Sequence, residues 1–268
     1  MLVRDLMHSG LITCPSTLRL GDIAKLLRDN HVHSLVVVDA PGGEAAGLVS
    51  DTDLLAGEWL ATDPERLATM SAMTAGELMS KPLISIAAGA PIDDAVSRMR
   101  RDHVARLLVE DGGRPVGVIA ISDVIAALAD VPLGRRTVRD VMSWGTVVCQ
   151  VGTPLRSAAR AMTDRRSRSL VVVDRDGRSV GVVTGYDLLP AMTMPTEQVD
   201  AGTVDRYMHA PVTIEPDASL QKATDLMLSR EIHRLLVVDP DAPNRLPLGI
   251  ISTTDIVTGM AGGAGVWR

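Results

Sequence analysis

The chain has 268 residues, of which 46% are hydrophobic and 2% aromatic, with no phenylalanine, so its core must consist of aliphatic side chains and methionine. This apolar content excludes a disordered chain. The formal net charge of -6, with Lys and Arg scattered along the chain, argues against a nucleic-acid-binding groove.

No apolar run is long enough to span a membrane, and the N-terminal "MLVRDLMHSG" lacks the apolar core of a signal peptide. Two cysteines, Cys14 and Cys149, fit a reducing compartment better than a disulfide framework. We therefore expect a cytoplasmic protein that binds neither nucleic acid nor membrane.

One pattern occurs four times along the chain, with roughly 64 to 70 residues per copy. Each copy opens with a short helical turn that ends in methionine, at Met7, Met79, Met142 and Met208. Each copy closes with a motif that begins in glycine and ends in aspartate: "GLVSDTD" (47–53), "GVIAISD" (117–123), "GVVTGYD" (181–187) and "GIISTTD" (249–255). Because both markers keep step, the chain consists of four internal repeats.

The elements within each repeat follow one order. A short β segment comes first, and then a helix with apolar residues at i, i+3, i+4 and i+7. These helix positions are Leu20, Ile23, Ala24, Leu27; Ile92, Ala95, Val96, Met99; Leu155, Ala158, Ala159, Met162; and Leu220, Ala223, Thr224, Met227. An unbroken apolar strand, typical of a strand covered on both faces, precedes a turn, a second strand, the motif and a final helix.

This order predicts a β-α-β-β-α unit and an α/β (α+β) fold. We place the repeats at 1–59, 74–130, 137–192 and 203–262. A unit of this size has little core for its surface and is marginally stable alone. We therefore expect the repeats to pair around pseudo-two-fold axes into two modules, 1–130 and 137–268. Whether the two modules pack within one chain or between two chains is open at this point.

The closing motif has two explanations. Its glycine permits close approach of another backbone or of a ligand. Its hydroxyl residue stands where a strand ends and a helix begins, a place that favours an anion, and its aspartate can accept hydrogen bonds from both hydroxyls of a ribose. However, a hydroxyl followed three positions later by an acid is also a capping box, which requires no ligand.

The second repeat bears on this choice, because Ala120 replaces the hydroxyl while Asp123 is kept. A motif that served only as a cap would be expected to keep the hydroxyl and lose the acid. The retained aspartate therefore favours binding.

Four such units, ending in this motif, resemble cystathionine β-synthase (CBS) domains, and their pairs resemble Bateman modules. The resemblance covers nearly the whole chain. It implies that AMP, ADP, ATP or a related adenosyl ligand binds in clefts between paired repeats, with the aspartate on the ribose and the Ser or Thr near the phosphate. A basic residue before the apolar strand would also reach the phosphates. The implied nucleotide-binding residues are Ser50, Asp53, Asp123, Arg168, Thr184, Asp187, Thr213, His233, Arg234, Ser252 and Asp255.

The four repeats are not equal in these positions. The fourth has the most of them, including Thr213, His233 and Arg234, whereas the second lacks its hydroxyl. We therefore expect the C-terminal module to bind nucleotide more tightly than the N-terminal module.

The sequence contains no Ser-His-Asp arrangement with supporting context, no phosphate-binding loop and no zinc-protease motif, so we expect no catalytic residues. His31 and His103 occupy equivalent positions but lack acidic or Cys partners at metal-ligand spacing, so we expect no metal site.

We predict a regulatory protein that needs no cofactor, binds an adenosine nucleotide, and relays this to an unidentified target protein or to a second copy in a homodimer. The alternative is a CBS scaffold that mediates dimerisation or other protein contacts without a ligand.

Overall fold

The structure is a computed structural model, and it describes residues 1–40, 43–56, 72–129, 133–165, 167–242 and 246–260. Within these ranges the chain forms four small sheets and ten α-helices. The predicted ends of repeats one, two and four, at residues 59, 130 and 262, lie outside the described residues.

The strands are β1 (His8–Ser9), β2 (Thr13–Pro15), β3 (Ser34–Val38), β4 (Ala45–Ser50), β5 (Ser85–Ala87), β6 (Arg106–Asp111), β7 (Arg114–Ala120), β8 (Ser143–Trp144), β9 (Val148–Gln150), β10 (Ser169–Val173), β11 (Ser179–Thr184), β12 (Thr213–Ile214), β13 (Arg234–Val237) and β14 (Gly249–Ser252). The helices are α1 (Leu20–Asp29), α2 (Asp51–Ala56), α3 (Ala75–Leu78), α4 (Ile92–Arg101), α5 (Ile121–Ala127), α6 (Leu155–Asp164), α7 (Gly185–Leu188), α8 (Thr196–Asp200), α9 (Leu220–Ser229) and α10 (Thr253–Met260). Short 3₁₀ turns cover Val3–Asp5, Val138–Asp140, Leu189–Thr193 and Val204–Arg206.

Each repeat contributes three strands to one mixed sheet, and this confirms the predicted β-α-β-β-α unit. In repeat one, β2 and β3 are parallel because α1 connects them, whereas β3 and β4 are antiparallel across a turn. The same pairings recur as β5-β6-β7, β9-β10-β11 and β12-β13-β14. The central strands are mostly buried, and in β10 every residue is.

The predicted apolar faces of the four long helices are also confirmed. All four positions that we expected to face the core are buried in each of α1, α4, α6 and α9. A spacing of i, i+3, i+4 and i+7 places side chains on one stripe of a helix, and burial of that stripe against the sheet stabilises the repeat.

The chain divides into two compact units that interleave along the sequence. One unit comprises 1–11, 84–146 and 211–268, and the other comprises 12–83 and 147–210. The first unit contains the four-stranded sheets of repeats two and four, which include β1 and β8, around one core of buried hydrophobic residues. The second contains the three-stranded sheets of repeats one and three and has two core clusters. The predicted modules, repeat one with two and repeat three with four, stay a prediction.

Each opening segment packs on the last strand of a repeat other than the one it opens. Strand β1, which opens repeat one, pairs with β7 of repeat two, and Ser80, which opens repeat two, bridges to Leu48 of repeat one. In the second half of the chain β8 pairs with β14, and His209 bridges to Val182. Repeats one and two thus exchange opening segments, and so do repeats three and four.

Within the parts of the chain that the structure describes, no helix combines the length and the apolar character needed to cross a membrane.

Candidate functional site

The motif glycine lies directly under the exchanged opening segment in all four repeats. A Cβ atom added to Gly117 would stand 2.3 Å from the carbonyl oxygen of His8, and one on Gly249 would stand 2.1 Å from that of Ser143. Added to Gly47 or Gly181, it would stand 2.4 Å from the sulfur of an opening methionine. The sequence predicted that either another backbone or a ligand approaches this glycine. In the structure the opening segment does so, and any side chain here would displace that segment.

The motif aspartate caps the helix that follows the strand. In repeat three, Oδ2 of Asp187 accepts the backbone N–H of Thr184 at 2.7 Å and its hydroxyl at 2.6 Å. The same bonds join Ser50 to Asp53 and Ser252 to Asp255, at distances of 2.6 to 2.8 Å. These reciprocal bonds are a capping box, and they hold the carboxylate in one orientation at the strand–helix junction.

Repeat two keeps the cap without the hydroxyl. Oδ2 of Asp123 accepts the backbone N–H of Ala120 at 2.7 Å. Because every residue except proline carries this N–H group, the aspartate can cap the helix whatever side chain precedes it. Our reasoning that a retained acid favours a ligand over a cap was therefore wrong, since the cap alone explains the retention of Asp123.

The second carboxylate oxygen, Oδ1, contacts the residue that follows the opening methionine. Asp53 accepts a hydrogen bond from the hydroxyl of Ser80 at 3.0 Å. Nε2 of His8 lies 3.0 Å from Oδ1 of Asp123, and Nε2 of His209 lies 2.8 Å from Oδ1 of Asp187. Each of these contacts joins an exchanged opening segment to the motif on which it packs.

Repeat four differs from the other three. The segment that packs on it opens repeat three, where Ser143 follows Met142, and among the described residues Ser143 makes no hydrogen bond to Asp255. The only carboxylate oxygen of Asp255 with a described partner is Oδ2, which caps the helix.

The contacts with Oδ1 come from side chains that are themselves exposed. The imidazoles of His8 and His209 are 82% and 73% exposed, whereas the side chains of Asp123 and Asp187 are only 8% and 12% exposed. Burial raises the pKa of Asp123, while the N–H of Ala120 and the neighbouring His8 and Arg106 act in the opposite direction. Burial is the larger effect, so the charged form of this carboxylate is held in an unfavourable environment.

These partner residues were absent from our predicted site. The opening methionines marked the repeats, but His8, Ser80 and His209, which follow three of them, were not among the predicted residues. A signal was available, because the three residues follow the methionine directly in their respective repeats. What the sequence lacked was the strand on which each opening segment packs.

Three of the predicted residues of repeat four, Thr213, Arg234 and Ser252, lie in one sheet. Arg234 lies opposite Ser252 in the antiparallel register of β13 and β14, and the carbonyl of His233 accepts the N–H of Thr253, the first residue of α10. Thr213 is exposed on β12, which pairs in parallel with β13. Hydroxyl, basic and acidic residues thus lie at the end of this sheet where α10 begins.

The predicted residues of repeat three lie at the equivalent junction. Arg168 is exposed and directly precedes β10, and its carbonyl accepts the N–H of Gly185, which follows Thr184. Thr184 and Asp187 form the capping box described above.

A ring contact between repeats one and three was not foreseen. Nδ1 of His33 lies 3.0 Å from Oδ2 of Asp51, and the ring of Tyr186 stands 4.5 Å from the His33 ring at an angle of 51°. Burial raises the pKa of Tyr186, and the charge of Asp51 adds to the effect. Tyr186 precedes the motif aspartate of repeat three, so this contact joins the two junctions of one compact unit.

The equivalent histidines His31 and His103 have a backbone role. Both follow a long helix and adopt positive φ angles, 52° and 55°, as does Glu231 with 53° in repeat four. The next N–H bonds back to the helix, as Val32 does to Leu27, which is the pattern of a left-handed helix end. Among the described residues, no group of three His, Cys, Asp or Glu side chains is arranged to hold a metal.

The fold and the junctions define a class of protein, namely tandem α/β repeats. In each repeat an opening segment from another repeat packs on the motif glycine, and the motif aspartate caps the helix that follows the last strand. A model of the CBS domain matches residues 3–58, 75–130, 138–193 and 204–262. The chain belongs to the CBS domain family.

Known relatives agree with this assignment over nearly the whole chain. Protein MJ1404 of Methanocaldococcus jannaschii is 27% identical over an alignment of 271 positions, gaps included. The alignment covers 95% of this chain and 61% of that protein. The crystal structure of MJ1225 from the same organism superposes with a TM-score of 0.81 at 23% identity, covering 97% of this chain and 99% of the other. A conserved Pyrococcus horikoshii protein has a TM-score of 0.64 at 21% identity, covering 97% of this chain and all of that protein.

Proposed function

We propose that this protein is a non-catalytic regulator that binds an adenosine nucleotide at the strand–helix junctions of its CBS repeats. The observation that carries the proposal is the contact between Ser80 and Asp53. An exposed hydroxyl donates to Oδ1 of a carboxylate whose other oxygen is fixed by the helix cap. A ribose hydroxyl has the same donor chemistry, and the carboxylate needs no rearrangement to accept it.

The charge of the ligand follows from the residues beside the junction. Arg234 lies across from Ser252, and Arg168 lies beside Thr184. A guanidinium suits a phosphate because it donates two parallel hydrogen bonds. Together with a carboxylate for the ribose, these residues favour AMP, ADP or ATP over an uncharged nucleoside. The likeness of this chain to MJ1225, a candidate archaeal homologue of γ-AMPK, supports such a role.

The repeat best equipped for this ligand is the fourth. It has Thr213, Arg234 and Ser252 in one sheet and His233 directly before β13, and none of the described residues occupies Oδ1 of Asp255. A ligand acts as a signal only if it prefers one arrangement of the protein. We propose that this change is read in the cytoplasm by a target protein or by a second copy of the chain, as in a sensor of the energy state.

The test is calorimetric titration of the full chain with AMP, ADP, ATP, S-adenosylmethionine and NAD. A nucleotide present at 100 times its dissociation constant should add about 2.7 kcal/mol to the free energy of unfolding. Asp255→Asn keeps an oxygen for the helix cap but replaces the second acceptor by a donor, so it should abolish the tightest binding. Asp140→Asn, at a cap outside the motif, is the matched control. Absence of heat and of thermal stabilisation with every ligand would contradict the proposal.

A ligand-free scaffold is the second candidate, and the Ala120–Asp123 cap favours it. That junction has a fully explained carboxylate and lacks the hydroxyl expected near a phosphate. If no ligand of the panel binds, sedimentation of the purified chain should then show an oligomer that persists without nucleotide.

A further inference from the structure

The residue after each opening methionine occupies the oxygen that the proposed ligand requires. Oδ2 of the motif aspartate is committed to the backbone cap in all four repeats. Oδ1 is therefore the oxygen with the most room to accept a ribose hydroxyl. In repeats one, two and three this atom already contacts Ser80, His8 and His209, respectively. A ligand at these junctions must displace a protein side chain or share the oxygen with it.

The imidazoles can leave without disturbing the core. Most of each histidine side chain is in solvent, 82% for His8 and 73% for His209, while the carboxylate beneath is almost covered. Rotation of the ring towards solvent breaks one hydrogen bond and uncovers Oδ1. The backbone of His8 stays in place, because it pairs with Val118 and its carbonyl rests on Gly117.

We propose that these opening-segment side chains are competitive latches that determine which repeats accept the nucleotide. His8 closes repeat two, His209 closes repeat three, and Ser80 closes repeat one with a smaller group. Repeat four is open, because Ser143 makes no such bond among the described residues. The exchange of opening segments places the latch of each repeat on its partner, so binding at one junction displaces a side chain that belongs to another repeat.

This inference rests on the proposed function, since the latch has meaning only if a ribose competes for Oδ1. From the sequence we expected the C-terminal module, repeats three and four together, to bind nucleotide more tightly; the latch predicts that repeat four binds more tightly than repeat three. In the structure the contact of His209 with Asp187 separates them.

The test compares AMP binding to the full chain with binding to variants, by titration calorimetry at one pH. His209→Ala and His8→Ala should each tighten binding at one junction about tenfold, because the ligand no longer breaks a hydrogen bond to a charged group. The number of AMP molecules bound per chain at a fixed concentration should rise. Ser143→His should have the opposite effect and weaken binding at repeat four about tenfold. Melting without AMP checks that each variant folds; if Ser143→His does not, the two alanine variants decide the matter.

The outcomes separate the two claims. If AMP binds but the alanine variants bind with equal or lower affinity, the imidazoles are not competitors and the latch is wrong, although the proposed function stands. If AMP does not bind, the same titrations are made with ADP and ATP; if none of the three binds to the original chain or to any variant, the proposed function fails, and the latch fails with it.

Discussion

The carbonyl oxygen of His8 rests on the α-carbon of Gly117, so close that a methyl group there would stand 2.3 Å from it. The two residues are more than a hundred positions apart, and the contact fixes the opening segment of repeat one on the last strand of repeat two.

Gly117→Ala should therefore destabilise the protein by about 1–3 kcal/mol, as overpacking does where the obstructing atom belongs to the backbone and cannot rotate away. The measurement is urea denaturation of the full chain. Gly21→Ala is the control, because a Cβ on Gly21 meets nothing within 4 Å and this residue lies inside α1. That variant should gain about 0.5–1 kcal/mol. Equal effects of the two variants would contradict the role of Gly117.

His31→Gly should stabilise the protein by about 1 kcal/mol. The residue has a φ of 52°, a left-handed conformation that disfavours any side chain with a Cβ but suits glycine. Chemical denaturation measures the gain, and His31→Ala, which keeps the Cβ, should give none. A gain with alanine equal to that with glycine would show that the imidazole, and not the backbone, is responsible.

Thr224→Val should also stabilise the protein, by about 1 kcal/mol. Thr224 is fully buried on α9, and its hydroxyl has no hydrogen-bond partner among the described residues. The equivalent position on α4 is Val96, which has the same shape without the hydroxyl. The reverse change, Val96→Thr, should lower the melting temperature. If Thr224→Val lowers it instead, the hydroxyl must have a partner.

Asp123→Asn should raise stability at neutral pH, with a gain that shrinks as the pH falls. Burial raises the pKa of Asp123, so folding disfavours its charged form. This penalty is absent below the ordinary pKa of a carboxyl group and develops as the pH rises through the raised value. The amide removes the charge and keeps an oxygen for the N–H of Ala120. Unfolding free energies between pH 3 and pH 7 measure the effect.

Asp140→Asn is the matched control, and its sign is opposite. The N–H and the hydroxyl of Thr137 lower the pKa of Asp140, so the charged form contributes stability above the ordinary carboxyl pKa, and this is lost as the pH falls through the lowered value. Asp140→Asn should therefore be less stable at pH 7, with a smaller difference at pH 3. The same sign for both variants would contradict the role of burial at Asp123.

Local features of this protein were predictable from the sequence, because they depend on spacing alone. The stripe of Leu20, Ile23, Ala24 and Leu27 predicts a helix and its buried face, and the four-fold recurrence of the closing motif identifies the junctions. The partners of those junctions were not predictable. The contact of His8 with Asp123 depends on which strand the opening segment joins, and nothing near His8 in the sequence specifies it.

The cap in repeat two shows a second limit. We expected the hydroxyl to define the cap, whereas Asp123 bonds to the main chain of Ala120. A residue that contributes only its backbone N–H to an interaction can be of almost any type. Comparing residue types between repeats therefore does not reveal such an interaction.

The reciprocal exchange of opening segments bears on how such a chain could have arisen. A gene fragment that encoded residues 74–130 alone would carry Ser80 without Leu48, its partner, and would lack the β1 strand that completes its own sheet. When two repeats are duplicated together, each supplies the opening segment that packs on the sheet of the other. Duplication of a two-repeat ancestor therefore preserves every such pairing, whereas gain or loss of a single repeat leaves one sheet without its crossing segment.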